Sequence, residues 1–265
     1  MIINAYFTNG YLGWGRLFLE SFAYHNGQEK KMILNTRNLT KKEINGLYPL
    51  YKNLEVRNTD FNFKQMAKRA GVSVQTLINY KRVVESNKVH KDNRVWKLMV
   101  AGDDRIKTIY GILNEMDEGD CLVHFDIDTY VQGNLDKLFE ISRNNYFTSI
   151  FRIDKQIKRR GKVFRENRAI LICVMGFTIG KYSKEFVKRW IHYIDKVPPV
   201  KRQKGYGQTS CYYAYKDMNK KYKDIKWGQV RGVKEAKRWM NANKGSKSQL
   251  LNKAIKHFNG VKNGK

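Results

Sequence analysis

The alternation of short apolar runs with amphipathic stretches over the first 140 residues limits this chain more than any other feature. Ile2 to Phe7 is apolar. It is followed at once by Thr8-Asn9-Gly10 and then by Leu12, Leu17, Phe18, Ser21 and Phe22 at helical spacing, closed by Gly27. Lys31 to Asn35 and Asn53 to Arg57 read as two more strands, the second after a short helix opening at Thr40-Lys41-Lys42-Glu43, a capping-box pattern. Val95, Leu98, Met99, Ile106, Ile109, Tyr110 and Leu113 mark an amphipathic helix, stopped by Asp117-Glu118-Gly119-Asp120 and feeding the core strand Cys121 to Phe125. Strands and helices in such series require a mainly parallel, Rossmann-like α/β sheet with helices on its faces. Ligand chemistry in such a sheet sits beyond the carboxyl ends of the strands.

The second half continues with Phe147 to Phe151, a basic stretch from Lys155 to Arg168, of which Lys155 to Lys162 reads as a solvated loop, and a fully buried strand from Ala169 to Val174. Helices follow over 184–194 and 209–218, the second rich in tyrosine. The last 35 residues are basic and only weakly periodic. No internal repeat and no Gly/Ser/Pro tract separates two units, so a single domain over 1–265 is expected, with halves at 1–140 and 141–265.

Charge narrows the partners. The chain has 52 Lys and Arg against 24 Asp and Glu, a net +28, and a mean hydropathy of −0.64, so those charges sit on a wet surface that suits an anion. Apolar residues at 42% exclude a disordered tail protein. The three cysteines, Cys121, Cys173 and Cys211, are an odd number, two of them inside apolar runs, and are expected to be reduced. The amino terminus lacks a basic leader, no stretch reaches 18 uncharged apolar residues, and a cytoplasmic protein is expected.

The sharpest chemical signal is Val123-His124-Phe125-Asp126-Ile127-Asp128-Thr129-Tyr130. Two carboxylates one residue apart emerge where a hydrophobic strand stops, and hard oxygen ligands there suit a divalent cation. A solvated strand end explains the same pair. After it come Gly133-Asn134-Leu135-Asp136-Lys137-Leu138-Phe139, a turn and a short helix.

That segment resembles the Asp-x-Asp strand and following helix of GT-A fold glycosyltransferases, of the retaining glycogenin and lipopolysaccharide galactosyltransferase type. Tyr6-Phe7-Thr8-Asn9-Gly10-Tyr11 is similar to the first-strand loop of that type, and His257-Phe258-Asn259-Gly260 is similar to its carboxyl-terminal His-Phe-x-Gly element. The resemblance implies a mixed, mainly parallel sheet flanked by helices, and transfer of a hexose from a UDP- or GDP-sugar to a hydroxyl of a glycan or other acceptor. It implies Mn²⁺ or Mg²⁺ on Asp126, Asp128 and His257. Thr8, Asn9 and Tyr11 would contact the nucleoside, Lys244, Lys247 and Lys262 the diphosphate, and Gln208 would sit beside the sugar. The chain departs from the family at two places. Lys262 stands one position early with no tryptophan after it, and Gly207 replaces the aspartate that usually precedes Gln208.

Two other readings compete. Gln65 to Leu77 resembles a repressor helix-turn-helix, extending over 65–80, in a chain whose charge suits DNA. Its place inside an α/β layer, with two helices where such a module needs three, favours a helical hairpin insertion and disfavours nucleic acid. Phe125-Asp126-Ile127-Asp128 also resembles the nucleophile loop of haloacid-dehalogenase phosphatases, but Tyr130 stands where that motif has Thr or Val. The basic segment from Lys155 to Lys162 adds a possible contact with an anionic membrane or acidic glycan.

Overall fold

β1 (Ile2–Thr8) runs through a 3-10 turn (Asn9–Tyr11) into α1 (Leu12–Asn26), then β2 (Lys31–Arg37), α2 (Lys41–Asn45) and β3 (Leu54–Thr59). The computed structural model describes residues 1–60, 105–152, 156–159, 162–165, 169–196, 206–241 and 247–263, with single positions between 62 and 75. The helix-turn-helix-like segment therefore lies almost wholly outside the described residues, as do 95–104 of the expected long helix. That helix is described over 105–115 and is labelled α3. There follow β4 (Cys121–Asp126), β5 (Thr129–Val131), α4 (Asp136–Arg143), β6 (Phe147–Arg152), the hairpin β7 (Gln156–Arg159) and β8 (Lys162–Arg165), and β9 (Ala169–Thr178). α5 (Lys181–Asp195), α6 (Tyr206–Lys221), β10 (Trp227–Gln229), β11 (Trp239–Asn241) and α7 (Lys247–Lys262) complete the chain.

Seven strands pair in the order β10-β6-β9-β4-β1-β2-β3. β3, β2, β1 and β4 are mutually parallel, β10 and β6 are parallel, and β9 runs antiparallel to both its neighbours. The fold is thus the mixed α/β sheet expected. From β1 the chain builds outward to β2 and β3 on one side and later to β4 on the other. The strand order reverses between β1 and β4, which opens a crevice at their carboxyl ends.

The period-2 alternation of the strands divides the core into two layers. Ile3, Ala5, Phe7, Cys121, Val123 and Phe125 face a layer with Phe18 and Phe22 of α1 and Phe139 of α4. The Phe22 ring lies 5.9, 6.5 and 6.3 Å from those of Phe18, Phe125 and Phe139. Gly15 lets α1 approach, because a Cβ there would sit 2.9 Å from the Phe7 ring. On the other face, Leu122, Ile33 and Met175 pack under α3, α5 and α6.

Three stretches differ from the sequence reading. The Lys155–Arg168 stretch contains the β7/β8 hairpin, and β9 runs on to Thr178. The weakly periodic end forms the 16-residue helix α7, whose Leu251, Ala254 and Phe258 pack with Trp14, Leu17 and Tyr130 in a satellite cluster. Gly13 admits Leu251, to which a Cβ would come within 2.7 Å. The capping box is formed: Glu43 N–H donates to Thr40 Oγ1 at 3.2 Å, and Thr40 N–H donates to Glu43 Oε2 at 2.7 Å. All three cysteines are free, and burial pushes the Cys121 thiol up to about 11. Among the described residues no helix is long and apolar enough to cross a membrane.

Candidate functional site

The second face of the sheet changes character toward the carboxyl ends of its strands. Ile2, Ile33 and Leu122 belong to its apolar part. Two residues on, β1 places Asn4 in register with His124. Two further on, Tyr6 stands in register with Asp126 on one side and Asn35 on the other, and Thr8 closes the row. The same alternation that buries the first face therefore delivers a polar patch at the β1/β4 crevice. No apolar packing demands it there, and such a crevice is where open α/β sheets bind ligands.

β4 ends at Asp126, and its carboxylate is held by the guanidinium of Arg105, the first described residue of α3. The side chains are 29% and 16% exposed, so the pair opens to solvent from the carboxylate side. Sequence reasoning missed Arg105. Its signal was a lone cation directly before the apolar stripe Ile106, Ile109, Ile112, Leu113, but only the docking of α3 on the sheet brings it to Asp126. Cys173 lies close enough to feel Asp126 and Lys237, and burial together with that carboxylate pushes its thiol up to about 12.

Thr8, Asn9 and Tyr11 follow β1 at the same end. Asn9 Oδ1 accepts the Gly10 N–H at 2.9 Å and shapes the turn. Tyr11 packs against both the main core and the satellite cluster, which accounts for its place at the start of α1 independently of any ligand.

His257 is brought from α7 to β5. Its Nδ1 lies 2.9 Å from the Tyr130 hydroxyl, two residues beyond Asp128, with the rings 5.7 Å apart. Tyr130 is 1% exposed and burial raises its hydroxyl above the usual value. Tyr130 is a second residue that sequence reasoning did not place beside His257.

The donor set of two carboxylates and an imidazole suits a hard or borderline divalent cation. As arranged, however, the residues do not form a centre. Among the described residues no group of three His, Cys, Asp or Glu side chains is placed to hold a metal.

Gln208 lies in the first turn of α6. The Trp190 indole N–H donates to the Gly207 carbonyl at 2.9 Å, and a Cβ on Gly207 would touch Ile172 at 3.5 Å. The helix start is thereby fixed against the half of β9 nearest the β4 tip. Lys262 holds its ammonium 5.3 Å from the Phe258 ring centroid. Lys247 is the first residue of α7, and Lys244 lies outside the described residues.

No protein-family model matches the sequence, and neither does any curated protein. Solved structures do match. An active-site mutant of LgtC superposes with a TM-score of 0.54 at 10% identity, covering 97% of this chain and 96% of that one. The apo structure of the bifunctional glycosyltransferase WbbM superposes with a TM-score of 0.52 at 12% identity, covering 93% of this chain but 46% of WbbM, so this chain spans about half of that protein. At these identities the likeness concerns fold, and the chain has the GT-A-like fold of these glycosyltransferases.

Proposed function

We propose that this chain is a glycosyltransferase that moves a hexose from a nucleotide-diphosphate sugar to an acceptor hydroxyl, on a glycan, lipopolysaccharide or protein glycan, with retention of configuration. The observation that carries the reading is the acidic pair Asp126/Asp128 at the tip of β4. It stands across the β1/β4 crevice from Thr8 and Asn9, in a fold shared with known glycosyltransferases.

The chemistry asked of such a site is electrostatic. As the anomeric bond breaks, negative charge grows on the departing diphosphate and positive charge on an oxocarbenium-like sugar. Arg105, beside Asp126, can face the first, and the Asp126 and Asp128 carboxylates can face the second or order the ribose hydroxyls. Gln208, fixed at the start of α6, reaches the sugar or the acceptor. A cation on Asp126, Asp128 and His257 would need the three side chains to draw together, because among the described residues no such group is placed to hold one.

The test is hydrolysis and transfer across UDP-, GDP- and dTDP-sugars with Mn²⁺, with Mg²⁺ and with a chelator, against Asp128→Ala. Turnover of at least one donor that falls by about 10²–10³-fold in Asp128→Ala, with the circular dichroism unchanged, is expected. No turnover of any donor by the wild-type chain, or full turnover by the variant, would overturn the reading.

A further inference from the structure

β4 carries a histidine in the middle of an otherwise apolar run, with no exposure to solvent, and no role above uses it. His124 stands two residues before Asp126 and in register with Met175 and Asn4, so it points into the layer beneath α3 and α6. Its Nδ1 lies 2.7 Å from Oδ1 of the fully buried Asn4. The Asn4 amide nitrogen donates to the Ile33 carbonyl at 2.9 Å, which fixes the amide oxygen toward the ring. That oxygen only accepts, so Nδ1 carries the proton and Nε2 of the neutral imidazole presents a lone pair. Burial, with the Arg105 charge nearby, keeps the ring neutral.

Nε2 of His124 is buried and has no hydrogen-bond partner among the described residues, and the same holds for Nε of Arg105. One is an acceptor lacking a donor and the other a donor lacking an acceptor. Arg105 is bonded to Asp126, which lies two residues beyond His124 on the same face of β4, so both orphans stand on one side of the sheet near the β4 tip. Ser210 Oγ, next to Cys211, is also buried without a partner. Buried polar groups of complementary sign that meet in one place are satisfied by each other or by an ordered water.

We propose that His124 is a positioning residue for the donor site: its Nε2 receives the Arg105 Nε–H across one bridging water and so fixes the guanidinium that grips Asp126. The polarity is consistent along the whole chain. Arg105 donates toward His124, His124 to Asn4, and Asn4 to the Ile33 carbonyl, while Nη1 of Arg105 donates to Asp126. The geometry stands on its own, and the catalytic consequence rests on the donor-site reading above.

Two conservative variants separate the two ends of the ring. Asn reproduces Nδ1 and its bond to Asn4, and Gln reproduces the reach of Nε2. Donor hydrolysis by His124→Gln is expected within about threefold of wild type, while His124→Asn loses about tenfold or more in kcat with little change in KM and an unchanged melting temperature. His124→Asn at wild-type kcat, or His124→Gln as impaired as His124→Asn, overturns the proposal. Ring ¹⁵N NMR of the wild-type protein reads the inference even if both variants fail to fold or no donor is turned over. A protonated Nδ1 is expected, with an Nε2 resonance that shifts in Arg105→Met. A proton on Nε2, or an Nε2 resonance indifferent to that substitution, contradicts it. A wild-type chain inert toward all donors with the expected NMR result sinks the donor-site reading alone.

Discussion

The two faces of the central sheet are built by the same strands and do opposite things. On the first, Ile3, Ala5 and Phe7 of β1 and Cys121, Val123 and Phe125 of β4 stay apolar to the strand tips and meet a cluster of phenylalanines. On the second, the residues between them turn from Ile2 and Leu122 to Asn4 and His124, then to Tyr6 and Asp126. Burying polar groups costs free energy unless each finds a partner. The second face accepts that cost at the end where the strand order reverses and not at the other. The first face is apolar to its tips, and the second is apolar at one end and polar at the other, where the proposed site lies.

The largest effect should come from damaging the first face. Phe22→Ala removes the ring at the centre of the phenylalanine cluster and should cost about 3–5 kcal/mol in urea unfolding, without moving the affinity for any nucleotide that the folded fraction binds. Asp126→Asn should do the reverse. Donor turnover should fall by about 10²–10³-fold while unfolding free energy changes by about 1 kcal/mol or less, because the amide still accepts from Arg105. Equal losses of stability in the two variants would erase the distinction between the faces.

Glu185 sharpens the comparison from the far end of the second face. α5 starts just after the end of β9 that pairs with the start of β4, remote from the crevice. There a charge serves stability. Burial acts to raise the Glu185 carboxyl, but hydrogen bonds from Tyr222 at 2.7 Å, Arg189 at 2.8 Å and Lys221 at 3.1 Å outweigh it and bring the group down to about 2. A depressed carboxyl stabilises the fold above its unfolded value and loses that contribution as pH falls toward about 2. Glu185→Gln should therefore cost about 1–2 kcal/mol at neutral pH, flatten the fall in stability between pH 5 and 2, and leave donor turnover unchanged. The smallest effect expected is Tyr130→Phe, which removes the hydroxyl facing His257 at about 1 kcal/mol in thermal unfolding.

Much of this was legible from residue order. Short apolar runs gave β1, β2, β3 and β4, the capping box at Thr40 and Glu43 gave the start of α2, and the place where β4 stops being apolar gave Asp126. Strand direction was not legible at β9, because a buried apolar run has the same pattern whichever way it pairs. α7 was hidden by its lysines, although Leu251, Ala254 and Phe258 sit at spacings that one helix face collects. Arg105 and His124 were missed for a different reason. Their partners, Asp126 and Asn4, come together only when α3 docks and β1 pairs with β4, over separations of 21 and 120 residues. Patterns of period 2 or 3.6 carry no information over such distances.

The most direct test of the account is to titrate UDP and GDP into the ¹⁵N-labelled protein and map which amides move. Shifts gathered at Thr8, Asn9, Tyr11, Asp126, Asp128 and the first turn of α6, at the β1/β4 crevice, are the predicted result. Shifts gathered at the opposite end of α5 and α6, around Lys181 and Lys221, with that crevice silent, would contradict it.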